Sequence, residues 1–211
     1  MRQDLSQQNA LARLLESEIQ ALCREPDGRF AITSERPRIL LPGSFNPLHE
    51  AHQRLLLLAA ERVGSPAAFE LSVTNVDKPA LTEDTVRLRL EQFAWRYSVW
   101  VTRAPTFVEK ATLFPGATFA IGADTAERLM ASRYYDGREE RRLAALDAIR
   151  AQGCRFLVAG RKGSDGRFVS MADVGIPSSH RDLFSEIPRS VFDHYISSTQ
   201  LRRDPSFDRI A

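Results

Sequence analysis

Two histidines in one short segment are the residues of this chain best suited to chemistry. His49 and His52 are three residues apart, after the turn-forming residues 42–47 and the strand-like apolar residues 38–41. A helix beginning after the turn would place both imidazoles on one face of its first turn. The N–H groups and positive dipole end of that turn suit a phosphate, and Gly43 permits a close approach. Imidazole donors there can stabilise the negative charge that builds up when a phosphate group is transferred.

A second segment, near the end of the chain, also favours phosphate binding. Ser197, Ser198 and Thr199 are consecutive hydroxyl residues at a predicted helix start, where side-chain and backbone donors lie together. Arg202 follows three positions after Thr199, and its guanidinium can hold a phosphate through two hydrogen bonds. Because a run of hydroxyl residues is also a common helix cap, the segment alone indicates either a phosphate site or a cap.

Alternating strands and helices must position these two segments. After the strand at 38–41, the apolar patterns predict helix 50–63, strand 69–74, a helix from Thr82 as N-cap to about Trp95, strand 99–102, strand 118–121, helices 124–131 and 138–151, and strand 155–159. This alternation predicts an α/β fold with a parallel sheet and helices on both faces. In such sheets ligands bind beyond the carboxyl ends of the strands, where the strand order reverses.

The N-terminal part of the chain follows a different pattern. Leucines and Ile19 recur at helical spacing and predict a helix over residues 5–24. Pro26-Asp27-Gly28 ends that helix, and a polar stretch leads to Arg36-Pro37. We therefore expect an N-terminal helical extension over residues 1–37 and a main domain over residues 38–211.

The composition excludes several classes of protein. With 43% hydrophobic and 27% charged residues, it is that of an ordinary globular protein. The formal net charge of +2 is too small to indicate nucleic acid as the main partner. No apolar run approaches the roughly 20 residues of a membrane span, and the N-terminus lacks the apolar core of a signal peptide. Cys23 and Cys154 lie far apart, so we expect a reduced, cytoplasmic location.

The cations are unevenly divided between 26 arginines and three lysines, Lys78, Lys110 and Lys162. Because lysine is rare here, each one is a candidate for a specific role. All three fall within or beside loops expected to surround a ligand. For Lys110, which lies one helical turn after Phe107, the ordinary interpretation is a solvent-facing side chain.

The first segment resembles the signature of the nucleotidylyltransferase superfamily, because Gly-Ser-Phe-Asn-Pro at residues 43–47 is followed by His-x-x-His. Within that superfamily, the nicotinamide or nicotinate mononucleotide adenylyltransferases are most similar. Ala51 replaces the usual glycine, and Asn46 replaces the more widespread aspartate. Residues 196–203 are similar to the second motif of the same family, with which its members hold the ATP phosphates. The two motifs occur in the family's order.

This resemblance covers residues 38–203 and implies a Rossmann-like nucleotidyltransferase fold. It also implies an adenylyltransferase of NAD biosynthesis, which joins the phosphate of nicotinamide or nicotinate mononucleotide to the AMP part of ATP and releases pyrophosphate. His52 would be the main catalytic phosphate donor and His49 would support it. Mg²⁺ would be carried by the ATP phosphates, without a dedicated set of metal ligands on the protein.

The resemblance further implies a set of binding residues. Those for ATP are Gly43, Ser44, Phe45, Gly122, Asp124, Arg161, Ser197, Ser198, Thr199 and Arg202. Those for the small phosphorylated acceptor are Asn46, Lys78 and Phe107. Lys78 and Arg161 have an alternative interpretation as polar surface residues. Phe107 has one as a core residue, and Asp124 has one as a helix cap.

The sequence leaves two other functions open. The first keeps the chemistry and changes the acceptor, to phosphopantetheine or a phosphorylated alcohol, with ATP or CTP as donor. The second is a nucleotide-binding regulatory protein without efficient catalysis, since the middle of the chain matches the family weakly. In this middle part of the chain, the sequence does not distinguish a lid from a packed turn at residues 134–137. It also leaves open whether the chain forms a homo-oligomer.

Overall fold

A mostly parallel sheet of eight strands forms the centre of the protein. The computed structural model describes residues 10–77, 79–162 and 167–192, with the backbone alone for Lys162. The strands are β1 (Ala21–Arg24), β2 (Phe30–Ala31), β3 (Ile39–Pro42), β4 (Ala67–Ser72), β5 (Val99–Thr102), β6 (Thr118–Gly122), β7 (Arg155–Ala159), β8 (Arg161–Lys162), β9 (Phe168–Val169) and β10 (Phe184–Ile187). The helices are α1 (10–15), α2 (Glu50–Val63), α3 (Glu83–Glu91), α4 (Phe107–Leu113), α5 (Ala123–Met130) and α6 (Glu139–Ala151). None of these described helices has the length and apolar character needed to cross a membrane.

The order of the strands defines the fold. Six neighbouring strands run parallel in the order β10-β7-β6-β3-β4-β5, and β1 and β2 continue the sheet with antiparallel pairing beside β5. Counted along the chain, the parallel strands lie in the order 3-2-1-4-5-6, which is that of the Rossmann fold. The structure therefore confirms the predicted α/β class, and the order reverses between the neighbours β3 and β6.

Helices cover both faces of the sheet, as the alternation of strands and helices predicts. Successive side chains of each strand point to opposite faces, so that in β3 Ile39 and Leu41 belong to one apolar core and Leu40 to the other. Helices α1, α2 and α3 contribute to the first core, and α4, α5 and α6 to the second. The loops that follow the strands are thereby held at the sheet's carboxyl edge.

Local signals fix several of the helix ends. Helix α2 spans the predicted residues and ends at Gly64, whose φ of 69° lies in the left-handed region that favours glycine. Thr82 caps α3 as predicted, since its Oγ1 accepts a hydrogen bond from the Thr85 N–H at 3.3 Å. Helix α3 ends at Glu91 rather than near Trp95, which has a φ of 62° that a right-handed helix cannot contain.

The predicted helix over residues 5–24 is wrong in its second half. Within the described chain, residues 10–15 are helical, and Ser17, with a φ of 72°, follows them in the left-handed region. Ala21–Arg24 is instead a strand that pairs with β5. Both faces of this strand are covered, so its apolar residues are consecutive instead of alternating. A consecutive apolar run also fits the spacing of a helix. Two strands from the predicted extension thus belong to the sheet, while the domain division at residue 37 stays a prediction.

Short elements account for most of what the patterns did not predict. Helix α4 has only seven residues, although its capping box, in which Thr106 and Glu109 exchange hydrogen bonds, is readable in the sequence. Strand β10 lies beside β7 at the edge of the sheet, and its end residues Phe184 and Ile187 are buried while the two between them are more exposed. The hairpin of β8 and β9 is formed by two residues on each side.

Candidate active site

The candidate site lies at the carboxyl edge of the sheet, where the strand order reverses. Strand β3 leads through residues 43–49, which we call the first loop, into α2 on one face. Its neighbour β6 leads directly into α5 on the other face. The chain therefore departs in opposite directions from two adjacent strands. Sheets of this topology bind ligands in a crevice at that point, so we call the region between these two strand ends the crevice.

A buried phenylalanine holds the first loop on the protein core. Phe45 has a φ of 45°, and its side chain is turned inward and is 1% exposed. The ring makes edge-to-face contacts with Phe69, Phe93 and His52, each with a centroid distance of 5.2 Å. A Cβ atom on Gly43 would lie 2.6 Å from the Phe45 ring, so only glycine fits there. The predicted contact of Phe45 with ATP is therefore limited to its backbone.

Side chains from the end of α3 clamp the backbone of the first loop. The Gln92 amide donates to the Phe45 carbonyl at 3.0 Å and accepts from the Leu48 N–H at 2.7 Å. Arg89 donates to the Ser44 carbonyl at 3.0 Å. The Ser44 and Asn46 side chains remain exposed, and the Asn46–Pro47 peptide bond is cis. Sequence reasoning missed Arg89 and Gln92, whose only signal is their three-residue spacing on one helix.

The two histidines form a stacked pair at the start of α2. His49 is the N-cap, and its ring lies on the His52 ring with a centroid distance of 3.7 Å and an angle of 20°. The His49 N–H donates to Nδ1 of His52 at 3.4 Å, and the His52 N–H donates to the His49 carbonyl at 3.0 Å. The predicted shared face of both imidazoles is thus present.

Burial controls the charge of His52. Removal from water, together with the neighbouring His49, lowers the pKa of His52 from 6.5 to about 3. His52 is therefore a neutral imidazole at neutral pH. Because its Nδ1 accepts the His49 N–H, its single proton belongs on Nε2. The pair offers a fixed, uncharged hydrogen-bond donor beside the positive end of a helix.

Three of the predicted ATP residues lie together across the crevice. Gly122 is the N-cap of α5, and a Cβ atom on it would lie 2.7 Å from Oδ1 of Asp124. Oδ2 of Asp124 pairs with Arg161 at 3.2 Å, since their elements follow the neighbouring strands β6 and β7. Asp124 lies in the first turn of α5 but is not its cap. This group carries a carboxylate and a guanidinium to the same edge as the histidines.

Phe107 lies in the second apolar core. It is the first residue of α4, and its half-buried ring makes edge-to-face contacts with Phe119 and Phe156, with centroid distances of 5.4 and 5.2 Å. The ring therefore has protein aromatic partners already. Its role in binding the acceptor stays a prediction.

Lys110 is not solvent-facing, which corrects the interpretation drawn from the sequence. It is 5% exposed, and its Nζ donates to Oε1 of Glu70 at 2.7 Å and to the Ala104 carbonyl at 2.6 Å. The Thr102 hydroxyl donates to the same Glu70 oxygen at 2.5 Å. Glu70 also accepts the Gly43 N–H through its backbone carbonyl at 2.9 Å. A buried ion pair therefore lies directly behind the first loop.

Sequence reasoning missed Glu70. Its signal is a single acidic residue within the apolar strand β4. Its second carboxylate oxygen, Oε2, is buried and has no hydrogen-bond partner among the described residues.

Several predicted site residues lie outside the described residues. These are Lys78, Ser197, Ser198, Thr199 and Arg202, together with the side chain of Lys162. Their roles stay predictions. In the described part of the chain, no group of three or more histidine, cysteine, aspartate or glutamate residues is arranged to hold a metal ion.

A cavity of about 370 Å³ lies at the opposite edge of the sheet, away from these residues. Residues that precede β3, β4 and β5, among them Arg38, Pro66 and Ser98, line it. None of the predicted site residues does. We place the candidate site at the carboxyl edge because the loop geometry, the helix start and the histidine pair coincide there. No protein-family model and no curated protein matches this chain.

Proposed function

We propose that the chain is a nucleotidylyltransferase that transfers AMP from ATP to the phosphate of nicotinamide or nicotinate mononucleotide. The observation that supports this most is the position of the first loop, whose stacked histidines lie at a helix start and at the reversal of strand order. The Gly-Ser-Phe-Asn-Pro sequence of that loop, together with the hydroxyl run at 197–199, supports the same reaction.

The reaction needs positioning and charge stabilisation more than it needs a base. An oxygen of the acceptor phosphate attacks the α-phosphorus of ATP, and the bond from that phosphorus to the bridging oxygen breaks, which releases pyrophosphate. Both the attacking and the leaving groups are ionised at neutral pH, so no proton has to be removed. Mg²⁺ arrives with ATP and neutralises part of the triphosphate charge.

His52 fits the role of a transition-state donor. Its Nε2–H is the one polar hydrogen of a neutral ring, and His49 holds that ring in place by stacking and by its backbone N–H. This Nε2–H group can stabilise negative charge on the α-phosphate by donating a hydrogen bond to one of its oxygens. The N-terminal end of α2 adds to this stabilisation.

The two sides of the crevice suit the two substrates. Gly122, Asp124 and Arg161 lie on the β6 and β7 side, where we place ATP. Asn46 and the loop after β4, which includes Lys78 in sequence, lie on the other side, where we place the acceptor. The triphosphate of ATP would replace Asp124 as the ion-pair partner of Arg161, because it is the more highly charged of the two.

An acceptor screen tests this function. The purified chain is given ATP, Mg²⁺ and, in separate reactions, either mononucleotide or phosphopantetheine, and pyrophosphate release is followed, with CTP replacing ATP in a parallel set. We expect pyrophosphate and a dinucleotide with ATP and a mononucleotide, and no release without acceptor. If pyrophosphate were released only when phosphopantetheine is the acceptor, or only when CTP is the donor, the proposed substrates would be wrong. Tight ATP binding without release from any reaction would contradict the enzyme and favour a regulatory nucleotide-binding protein.

A further inference from the structure

A tyrosine reaches across the crevice and holds the loop on its far side. The Tyr134 hydroxyl donates to Oδ2 of Asp77 at 2.7 Å. Tyr134 belongs to a short 3₁₀ helix, Ser132–Tyr135, that follows α5. Asp77 lies in the loop after β4, and we call its described residues, 73–77 and 79–81, the acceptor loop. Because β4 and α5 lie on opposite sides of the reversal point, this hydrogen bond joins the two sides of the candidate site.

The acceptor loop is fixed at its base and contacts Tyr134 further out. Val73 donates its N–H to the Thr102 carbonyl at 2.8 Å, and Leu81 donates to the Val73 carbonyl at 2.8 Å, so both ends of the loop are tied to the sheet. Nearer the tip, the Asp77 N–H donates to Oδ1 of Asn75 at 2.9 Å, a bond within the loop itself. The Tyr134 hydroxyl is thus a contact between Asp77 and a separate element of the fold.

The neighbouring tyrosine provides a contrast. Tyr135 donates its hydroxyl to the Leu129 carbonyl at 2.9 Å, which ties the 3₁₀ helix back to α5. Tyr134 instead bonds to Asp77, and Arg133 supports the Tyr134 ring with a guanidinium 4.8 Å from the centroid and donates to its hydroxyl at 3.0 Å. Of these two adjacent tyrosines, Tyr135 therefore makes a local contact and Tyr134 makes a long-range contact.

We propose that Tyr134 is a positioning residue that holds the acceptor loop through Asp77. The assignment of this loop to the acceptor rests on the proposed function, whereas the positioning contact does not. Tyr134 is the first residue of the segment 134–137, for which the sequence did not distinguish a lid from a packed turn. Tyr134 acts through the loop, so its loss weakens acceptor binding without removing a group from the reacting phosphates.

Two measurements on Tyr134→Phe test the proposal, with Tyr135→Phe as the matched control that loses a similar hydroxyl bond. Hydrogen exchange, followed by mass spectrometry on the free protein, should be faster in the peptide covering residues 73–81 for Tyr134→Phe alone. Steady-state kinetics should show an acceptor KM raised roughly 3- to 10-fold, with kcat and the ATP KM changed less than about twofold. Asp77→Asn, which keeps an acceptor oxygen, should lie closer to the wild type than Asp77→Ala.

The outcomes separate this proposal from the proposed function. Equal exchange of the acceptor loop in Tyr134→Phe and in Tyr135→Phe would overturn the positioning role, whatever the activity. Faster exchange with an unchanged acceptor KM would keep the contact and overturn its role in acceptor binding. Faster exchange in a protein that releases no pyrophosphate with any acceptor would contradict the adenylyl transfer and leave the positioning contact supported.

Discussion

At the scale of single residues, Gly43 and Phe45 show how a short motif fixes the backbone of its own loop. The glycine leaves room for the buried ring, and the ring holds the first loop on the protein core. The motif was readable in the sequence, but the inward turn of Phe45 was not. That turn depends on Phe69 and Phe93, which come from β4 and from the residues after α3.

Gly43→Ala should destabilise the protein by about 1–3 kcal/mol, because the new methyl group meets a ring that is packed on all sides. Urea unfolding measures this loss in the free energy of unfolding. Gly175→Ala is the matched control, since a Cβ atom there meets nothing within 4 Å and the backbone is not left-handed. A loss no greater than that of Gly175→Ala would show that the Phe45 ring does not constrain the loop.

His52 should make the protein sensitive to mild acid. Its pKa is about 3 when folded and 6.5 when exposed, so the unfolded chain holds one more proton between these values. The free energy of unfolding therefore falls as the pH is lowered from about 6.5 to about 3. Urea unfolding across this range should show a shallower decline for His52→Gln, which cannot take up that proton. Parallel declines for the two proteins would mean that His52 titrates normally in the folded state.

At the scale of elements, the sequence predicted the bounds of helices and strands best where a local signal ended a helix or where a short apolar run formed a buried strand. Helix α2 and strands β5 and β7 have the predicted bounds, and Thr82 acts as the expected N-cap. Residues 21–24 were predicted wrongly because their pairing with β5, which is far along the chain, decides their structure. The buried partner of Lys110 could not be predicted either, since β4 and α4 meet only in the folded sheet.

The ion pair of Glu70 and Lys110 should stabilise the packing of α4 against β4 and β5. Lys110→Met leaves a buried carboxylate without its cation and should cost about 3–5 kcal/mol in the free energy of unfolding. The double variant Glu70→Leu, Lys110→Met removes both charges and should recover most of that loss. Chemical denaturation of both variants measures the difference. A double variant as unstable as Lys110→Met alone would show that lost packing, rather than the unpaired charge, causes the effect.

At the scale of the whole molecule, the fold brings together what the sequence keeps apart. The first loop and the group of Gly122, Asp124 and Arg161 are adjacent because β3 and β6 are neighbours, although many residues separate them in sequence. The alternation of strands and helices predicted a ligand crevice of this kind. It did not predict which loops face each other, since the pairing of strands is a property of the complete sheet. Tyr134 and Asp77 are the clearest example, because neither residue has a signal that points to the other.

The fate of the α-phosphate of ATP tests the proposed function most directly. With ATP labelled at that phosphate, Mg²⁺ and nicotinamide or nicotinate mononucleotide, the label should enter a dinucleotide while unlabelled pyrophosphate is released. His52→Ala should slow this transfer at least about 100-fold, by analogy with the loss of one transition-state donor, while Gly175→Ala should not. Label that stays in ATP with both mononucleotides, or a His52→Ala rate within tenfold of the wild type, would contradict the account.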